Sequence, residues 1–274
     1  MSGRDQTTNL GGLRFHYLDW GTPGHPPLLL IHGGAQTAHS WDEVAGDLAR
    51  DHHVLAIDQR GHGDTDWSPG GRYLRDDFVA DIGAFLDDRR WSTATLAALS
   101  LGGLNSLAFA SAHPERVRGL VIVDVAPTVA RAGSEQIRSH VAQRDFASFE
   151  EAVERALAFN PRRTRANIEE RLRHALRETP QGRWTYKYDP AIGSSGLETD
   201  FERLWEGVRL IRCPTLLVRG AESNVLAEET VSRFLEELPG SEAAVVAAAG
   251  HSVMGDNPAG FLAAVRPFLA RYRL

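Results

Sequence analysis

A chain of 274 residues with 42% hydrophobic and 24% charged side chains is long and apolar enough for one large folded domain, with or without an insertion. Its net charge of −6 offers no electrostatic footprint for nucleic acid or an anionic membrane, and no apolar run reaches bilayer-spanning length. The single cysteine, Cys213, excludes an internal disulfide, and the polar stretch from Met1 to Asn9 lacks the apolar segment of a signal peptide, so the expected location is cytoplasmic.

Leu13 to Trp20 alternates and predicts an early strand, ended by the turn Gly21-Thr-Pro-Gly24. Pro27 to Ile31 is a continuous apolar run of the kind buried on both faces of a parallel sheet, and it empties into His32-Gly33-Gly34. Helical periodicity follows through Trp41, Val44 and Leu48, with Ser40 placed to cap it. Val54 to Asp58 is the next buried strand, and the segment Gln59 to Asp66 is rich in turn residues. Leu74, Phe78, Ile82, Phe85 and Leu86 mark one face of a helix. Ala94 to Leu99 is again strand-like, Gly102 and Gly103 open a helical pattern, and Gly119 to Asp124 closes the series. Strands alternating with helices predict an α/β fold, a parallel sheet covered by helices on both faces.

The rhythm breaks after Asp124. From about Thr128 to Glu206 the chain reads as helical and charged, over Phe149 to Phe159 and Ala166 to Arg177, with no strand-like apolar run. It resumes with a strand ending at Gly220, a helix over Ala227 to Leu238, a weak strand at Ala243 to Ala247 and a last helix over Ala259 to Tyr272. The expectation is a core from residues 1–127 and 207–274, interrupted by a helical insertion at 128–206.

Chemistry is expected at the carboxyl ends of the strands, where open α/β sheets bind ligands. There lie His32-Gly33-Gly34, Ser100, Asp124 and the turn Glu222-Ser223-Asn224. Ser100 stands at a strand-to-helix corner, where a strained turn lifts the hydroxyl out of the sheet. The segment Ala98-Leu99-Ser100-Leu101-Gly102 matches Gly-x-Ser-x-Gly except for one methyl group, at Ala98. A serine here can equally do no more than cap the following helix. As a nucleophile it needs a base. His251, late in the chain in the polar segment Ala249 to Pro258, is the candidate among eleven histidines. Asp58 and Arg60 are read as loop-holding residues. Gly61-His62-Gly63 lacks the third glycine of a dinucleotide fingerprint, and His52-His53 has no partner at metal-ligand spacing, so neither cofactor nor metal is expected.

Five stretches in order carry a resemblance: His32-Gly33-Gly34, Asp58 to Gly63, the corner around Ser100, Val218-Arg219-Gly220, and Gly250-His251 with Asp256-Asn257-Pro258. Over essentially its whole length the chain resembles the α/β-hydrolase fold family. The resemblance implies a mostly parallel sheet, a helical cap at 128–206, Ser100 as nucleophile and His251 as general base. It also implies an oxyanion hole from the backbone N–H groups of Gly34 and Leu101. The family usually places an aspartate in the turn where this chain has Glu222, Ser223 and Asn224. Asparagine has no charge with which to stabilise an imidazolium, and Glu222 stands one place early. Some members resemble an alternative, with the acid at the position of Asp124 and a serine, here Ser223, supporting the histidine. A carboxylate at Asp124 can also simply cap the chain's entry into the insertion. Asp124 is preferred to Glu222, and Asn224 ranks below both.

The expected activity is that of a cofactor-free serine hydrolase acting on a small or medium apolar ester, thioester or lactone. Hydrolysis of a carbon–carbon bond, perhydrolysis, or ligand binding without turnover are the alternatives. A serine at the corner argues against epoxide-hydrolase or dehalogenase chemistry, which resembles cases with an aspartate there. Trp184 and Tyr186, with Tyr188, either line a substrate pocket or pack the insertion on the core. The expected partner is a small-molecule substrate, with no nucleic acid and no membrane, for a monomer or homodimer.

Overall fold

The computed structural model describes residues 3–193 and 200–274. The chain opens with a hairpin of β1 (Arg4–Leu10) and β2 (Leu13–Asp19), followed by β3 (Pro27–Ile31), α1 (Asp42–Leu48) and β4 (His53–Ile57). Next come α2 (Arg75–Asp88), β5 (Ala94–Leu99), α3 (Leu101–Ala112) and β6 (Val117–Val123). The intervening region holds α4 (Arg131–Ala142), β7 (Asp145–Phe146), α5 (Phe149–Phe159), α6 (Arg165–Ala175), β8 (Leu176–Glu178), β9 (Trp184–Tyr186) and α7 (Phe201–Val208). The chain then completes its sheet with β10 (Thr215–Gly220), α8 (Glu228–Glu237), β11 (Glu242–Val246), α9 (Val253–Asp256) and α10 (Pro258–Tyr272). No helix among the described residues is long and apolar enough to cross a membrane.

Eight strands make one sheet in the order β1-β2-β4-β3-β5-β6-β10-β11, in which β2 alone runs against the others. Side-chain alternation splits each central strand between two apolar layers. Leu29, Ile31, Leu96, Ala98, Leu120 and Ile122 join α2, α3 and α7 on one face, while Leu28, Leu30, Ala97, Leu99, Val121 and Val123 join α1 and α10 on the other. This double burial is why the sequence shows continuous apolar runs instead of alternation.

Several details depart from the sequence reading. Strand β1 carries a polar, mostly exposed sequence, because it is the sheet's edge and one of its faces meets water. The region between β6 and β10 is helical but also holds a three-stranded antiparallel sheet, β7-β9-β8, whose strands of two or three residues are too short to alternate. That region has its own apolar cluster, with Phe146, Val153, Ile168, Leu172 and Tyr186. Helix α7 lies across the expected 206/207 boundary, and its Leu204, Trp205 and Val208 pack into the core layer under the sheet. Ser40 is buried in a short 3-10 turn and does not cap α1.

The loop after β4 is held by Asp58, whose buried carboxylate accepts from the N–H of Ala38 (2.6 Å) and Asp64 (2.9 Å) and pairs with His16 (2.8 Å). Gly63, at φ +53°, passes so close that a Cβ there would fall 2.1 Å from Asp58 Oδ2. Arg60 grips Asp81 through two bonds of 2.5 and 2.6 Å. His62 in the same loop is wholly buried and donates from Nδ1 to the Arg60 carbonyl (3.0 Å).

Helix α3 approaches β3 so closely that a Cβ on Gly102 would fall 2.5 Å from the carbonyl oxygen of His32. Gly102→Ala must therefore displace backbone, and we expect a loss of about 1–3 kcal/mol by chemical denaturation; an unchanged midpoint would refute this close packing. Burial, with the adjacent His32, pushes the His62 imidazole down to about 3. It therefore stays neutral while the unfolded chain's histidine takes a proton, so stability is lost as the pH falls from about 6.5 toward 3. Denaturation at pH 7.5 and pH 5 should show His62→Gln gaining about 2 kcal/mol on the wild type at the lower pH.

Candidate active site

The apolar strand β5 ends at Leu99, and α3 begins at Leu101, leaving one residue to turn the chain. Ser100 makes that turn at φ 53° and ψ −118°, a conformation costly for any residue with a side chain. Its N–H is tied to the Val123 carbonyl at 3.2 Å. Its side chain makes no capping bond to α3 and opens on a cavity, so helix capping does not account for this serine.

The Gly33–Gly34 backbone runs alongside. A Cβ on Gly33 would fall 3.2 Å from Ser100 Cβ, and one on Gly34 would fall 3.9 Å from Leu101 Cδ2. The N–H groups of Gly34 and Leu101 donate to no acceptor among the described residues. Two unused donors thus flank the serine. Sequence reasoning missed what fixes this loop. His32, fully buried, donates from Nδ1 to the Gly33 carbonyl (2.7 Å), and its Nε2 accepts from the Gln59 N–H (3.0 Å). Burial lowers its pKa, which keeps it in this neutral form. The Gln59 amide donates to the His32 carbonyl (2.7 Å) and accepts from Asn105 (2.7 Å), which in turn accepts from Arg75. A polar residue such as Asn105 on the buried face of α3 was the available signal.

Asp124 follows β6 at φ 51° and is fully buried. Its Oδ1 accepts from the Gly220 N–H (3.0 Å), and its Oδ2 from the Ser223 hydroxyl (2.5 Å) and from His251 Nδ1 (2.9 Å). The Ser223 oxygen also accepts from the N–H groups of Val225 (3.1 Å) and Leu226 (3.2 Å), which aims its hydrogen at the carboxylate. Ser223 thus supports the acid rather than the histidine. Glu222 instead pairs with Arg162 (2.6 Å), and the Asn224 amide donates to Gln136 (2.5 Å). Of the three candidate partners for His251, namely Asp124, Glu222 and Asn224, Asp124 is the one that meets the imidazole. With Nδ1–H committed to Asp124, His251 keeps a lone pair on Nε2.

Ser100, Gly34, Leu101 and His251 line one cavity of about 450 Å3, roofed by the region between β6 and β10. Its walls are largely apolar, with Val141, Phe159, Ile168, Leu172 and Tyr186 among them, and Tyr188 also contributes. Trp184 does not line it: its ring meets Phe149 edge-on at 5.0 Å, so that side chain packs against the apolar cluster of the region between β6 and β10. His140, stacked on Phe159, is pushed down to about 4 by burial and by the nearby Arg155 cation, so it is neutral. The loop carrying His251 is fixed by Asp256, which accepts from the Gly250 N–H (3.0 Å), Asn160 (2.8 Å) and Arg163 (2.9 Å).

Two clusters bring metal-ligand atoms within 4.8 Å of one another: His39 with Asp42 and His174, and His16 with Asp58 and Asp64. Neither lines the cavity, and their atoms already bond each other, at 2.9 Å for His39–Asp42 and 2.8 Å for His16–Asp58.

The family model described as alpha/beta hydrolase fold matches residues 26–258. Esterase Rv0045c of Mycobacterium tuberculosis is 30% identical over 260 residues, which is 92% of this chain and 85% of that protein. Esterase YbfF of Escherichia coli is 26% identical over 253 residues, covering 89% and 92% of the two chains. A crystal structure of an alpha/beta hydrolase from Novosphingobium aromaticivorans superposes with a TM-score of 0.84 at 27% identity, over 98% of this chain and 99% of that one. The chain belongs to the alpha/beta hydrolase fold family.

Proposed function

We propose that the protein is a serine hydrolase that cleaves a small or medium, largely apolar ester, thioester or lactone through an acyl-enzyme. The observation that carries this reading is the alignment of His251 on a buried, fully bonded Asp124 in the cavity that Ser100 also lines. Of residues 128–206, those before α7 act as the cap over that cavity, while α7 belongs to the core. The esterases among the relatives support the hydrolytic class.

In the proposed reaction His251 Nε2 takes the Ser100 proton as Oγ attacks the substrate carbonyl. The resulting imidazolium is stabilised by the Asp124 carboxylate. Negative charge gathers on the former carbonyl oxygen, where the N–H groups of Gly34 and Leu101 await an acceptor; such donors are worth about 3 kcal/mol each in the transition state. His251 returns the proton to the leaving group. Water, activated by the same imidazole, then attacks the acyl-enzyme and frees Ser100. No step requires a metal or organic cofactor. The apolar walls suit a hydrocarbon acyl or alcohol group.

A fluorophosphonate probe should label the wild-type protein rapidly and Ser100→Ala not at all; an inert wild type would favour a ligand-binding protein that keeps the fold without turnover. On p-nitrophenyl esters, Asp124→Asn should lower kcat by about 10^3- to 10^4-fold, because the imidazole loses its charged partner. Asn224→Ala should stay within a few-fold of wild type, and the reverse ranking would overturn the assignment of the acid. Ser223→Ala should fall between them, at roughly tenfold, as expected for loss of a group that orients a catalytic residue.

A further inference from the structure

One arginine lining the cavity has no ion-pair partner among the described residues. Arg171 projects from α6, on the face that also presents Ile168, Leu172 and Ala175 to the cavity. No carboxylate lies within ion-pair reach of its guanidinium among the described residues, and its one hydrogen bond is a long contact of 3.4 Å to the Ser40 hydroxyl. The other arginine that lines the cavity, Arg162, is paired with Glu222 (2.6 Å), and the adjacent Arg163 with Asp256 (2.9 Å). Asp256, which acts on Arg171 through its field, is already committed to Arg163, Asn160 and the Gly250 N–H. Burial, with the neighbouring Arg163 cation, pushes the Arg171 guanidinium down to about 9, so it still carries its charge at neutral pH.

Arg171 is partly buried, and a cation facing a largely apolar cavity without an ion-pair partner is less well solvated than one on the open surface, at a cost to folding stability. The fields of Asp256 and Asp42 relieve part of that cost without either carboxylate pairing with Arg171 among the described residues, and an incoming anion would relieve more. We propose that Arg171 is an anion subsite, so that the molecule occupying the cavity carries a carboxylate in addition to its scissile bond. The guanidinium offers parallel N–H donors that match a carboxylate in two-pronged geometry. The apolar walls then hold the hydrocarbon that links the carboxylate to the reacting carbonyl. This deepens the serine-hydrolase reading and rests on it for the reaction, but not for the binding.

Binding and turnover are therefore tested apart. Calorimetric titration of the Ser100→Ala protein with adipate and with the uncharged adipamide should show adipate bound at least about tenfold more tightly. Arg171→Met, which keeps the aliphatic stem and removes the charge, should abolish that preference while raising the melting temperature. In turnover, the mono-p-nitrophenyl ester of adipic acid should have a higher kcat/KM than the p-nitrophenyl ester of its methyl half-ester. Arg171→Met should lower the first by at least about tenfold and leave the second within a few-fold. Equal affinity for adipate and adipamide would overturn the subsite, even if fluorophosphonate labelling upholds Ser100. So would an Arg171→Met protein that is destabilised and loses both substrates equally, which would make the arginine structural. Adipate binding that depends on Arg171 in a protein whose Ser100 resists labelling would uphold the subsite and defeat the hydrolase reading.

Discussion

The structure turns on one carboxylate. Asp124 is removed from water, and an uncompensated charge in that position would be untenable. It is compensated from three directions: by the backbone at the end of β10 through Gly220, by the following turn through Ser223, and by the loop before α9 through His251. The donors come from two distant stretches of chain, the end of β10 with its turn and the loop carrying His251, so both must be in place beside β6 before the charge is satisfied. The left-handed backbone at Asp124 and the strained corner at Ser100 belong to the same logic. Both are conformations that local preference disfavours and that packing over-determines, as is common where side chains must be aimed.

A carboxylate at Asp124, directly after β6, changes what the turn after β10 has to do. Where related proteins of this fold usually carry the aspartate, this chain has a serine that donates to Asp124 and accepts from two N–H groups of its own turn. The hydroxyl is small and neutral. It fills a place where a second carboxylate would face Asp124 across 2.5 Å, an arrangement in which both could not remain ionised. Glu222 and Asn224 are released to the surface of the cavity, where they bond to Arg162 and Gln136 from the cap. One change of position in the acid thus redistributes three polar contacts.

Much of this was legible from the residues alone, for physical reasons. The central strands are buried on both faces and so appear as uninterrupted apolar runs, and the corner at Ser100 demands small neighbours, which Gly102 and Gly103 supply. Strand β1 was illegible because an edge strand needs no apolar pattern, and β7 to β9 because two or three residues cannot show a period. Trp184 and Tyr186 share a strand and are separated by a single residue, yet Tyr186 reaches the cavity and Trp184 meets Phe149. Composition cannot make that distinction; it depends on which neighbour each ring finds. The direction of Ser223, toward the acid and not the histidine, was likewise decided by two backbone donors that have no signature in the side-chain sequence.

Asp256 ties the region between β6 and β10 to the loop that carries His251. Its carboxylate, with almost no exposure, holds the N–H beside His251 and the guanidinium of Arg163 from the loop before α6. Such a pair contributes little net stability compared with apolar packing, but it fixes geometry, since displacing either partner strands a buried charge. The placement of that region over the cavity and of the imidazole within it therefore depends on the same group. Arg171 lies on the next helix, close enough to feel that carboxylate and too late to share it, because its oxygens are already taken. The pairing that occupies Asp256 thus leaves Arg171 without an ion-pair partner among the described residues, facing the cavity that Ser100 and His251 line.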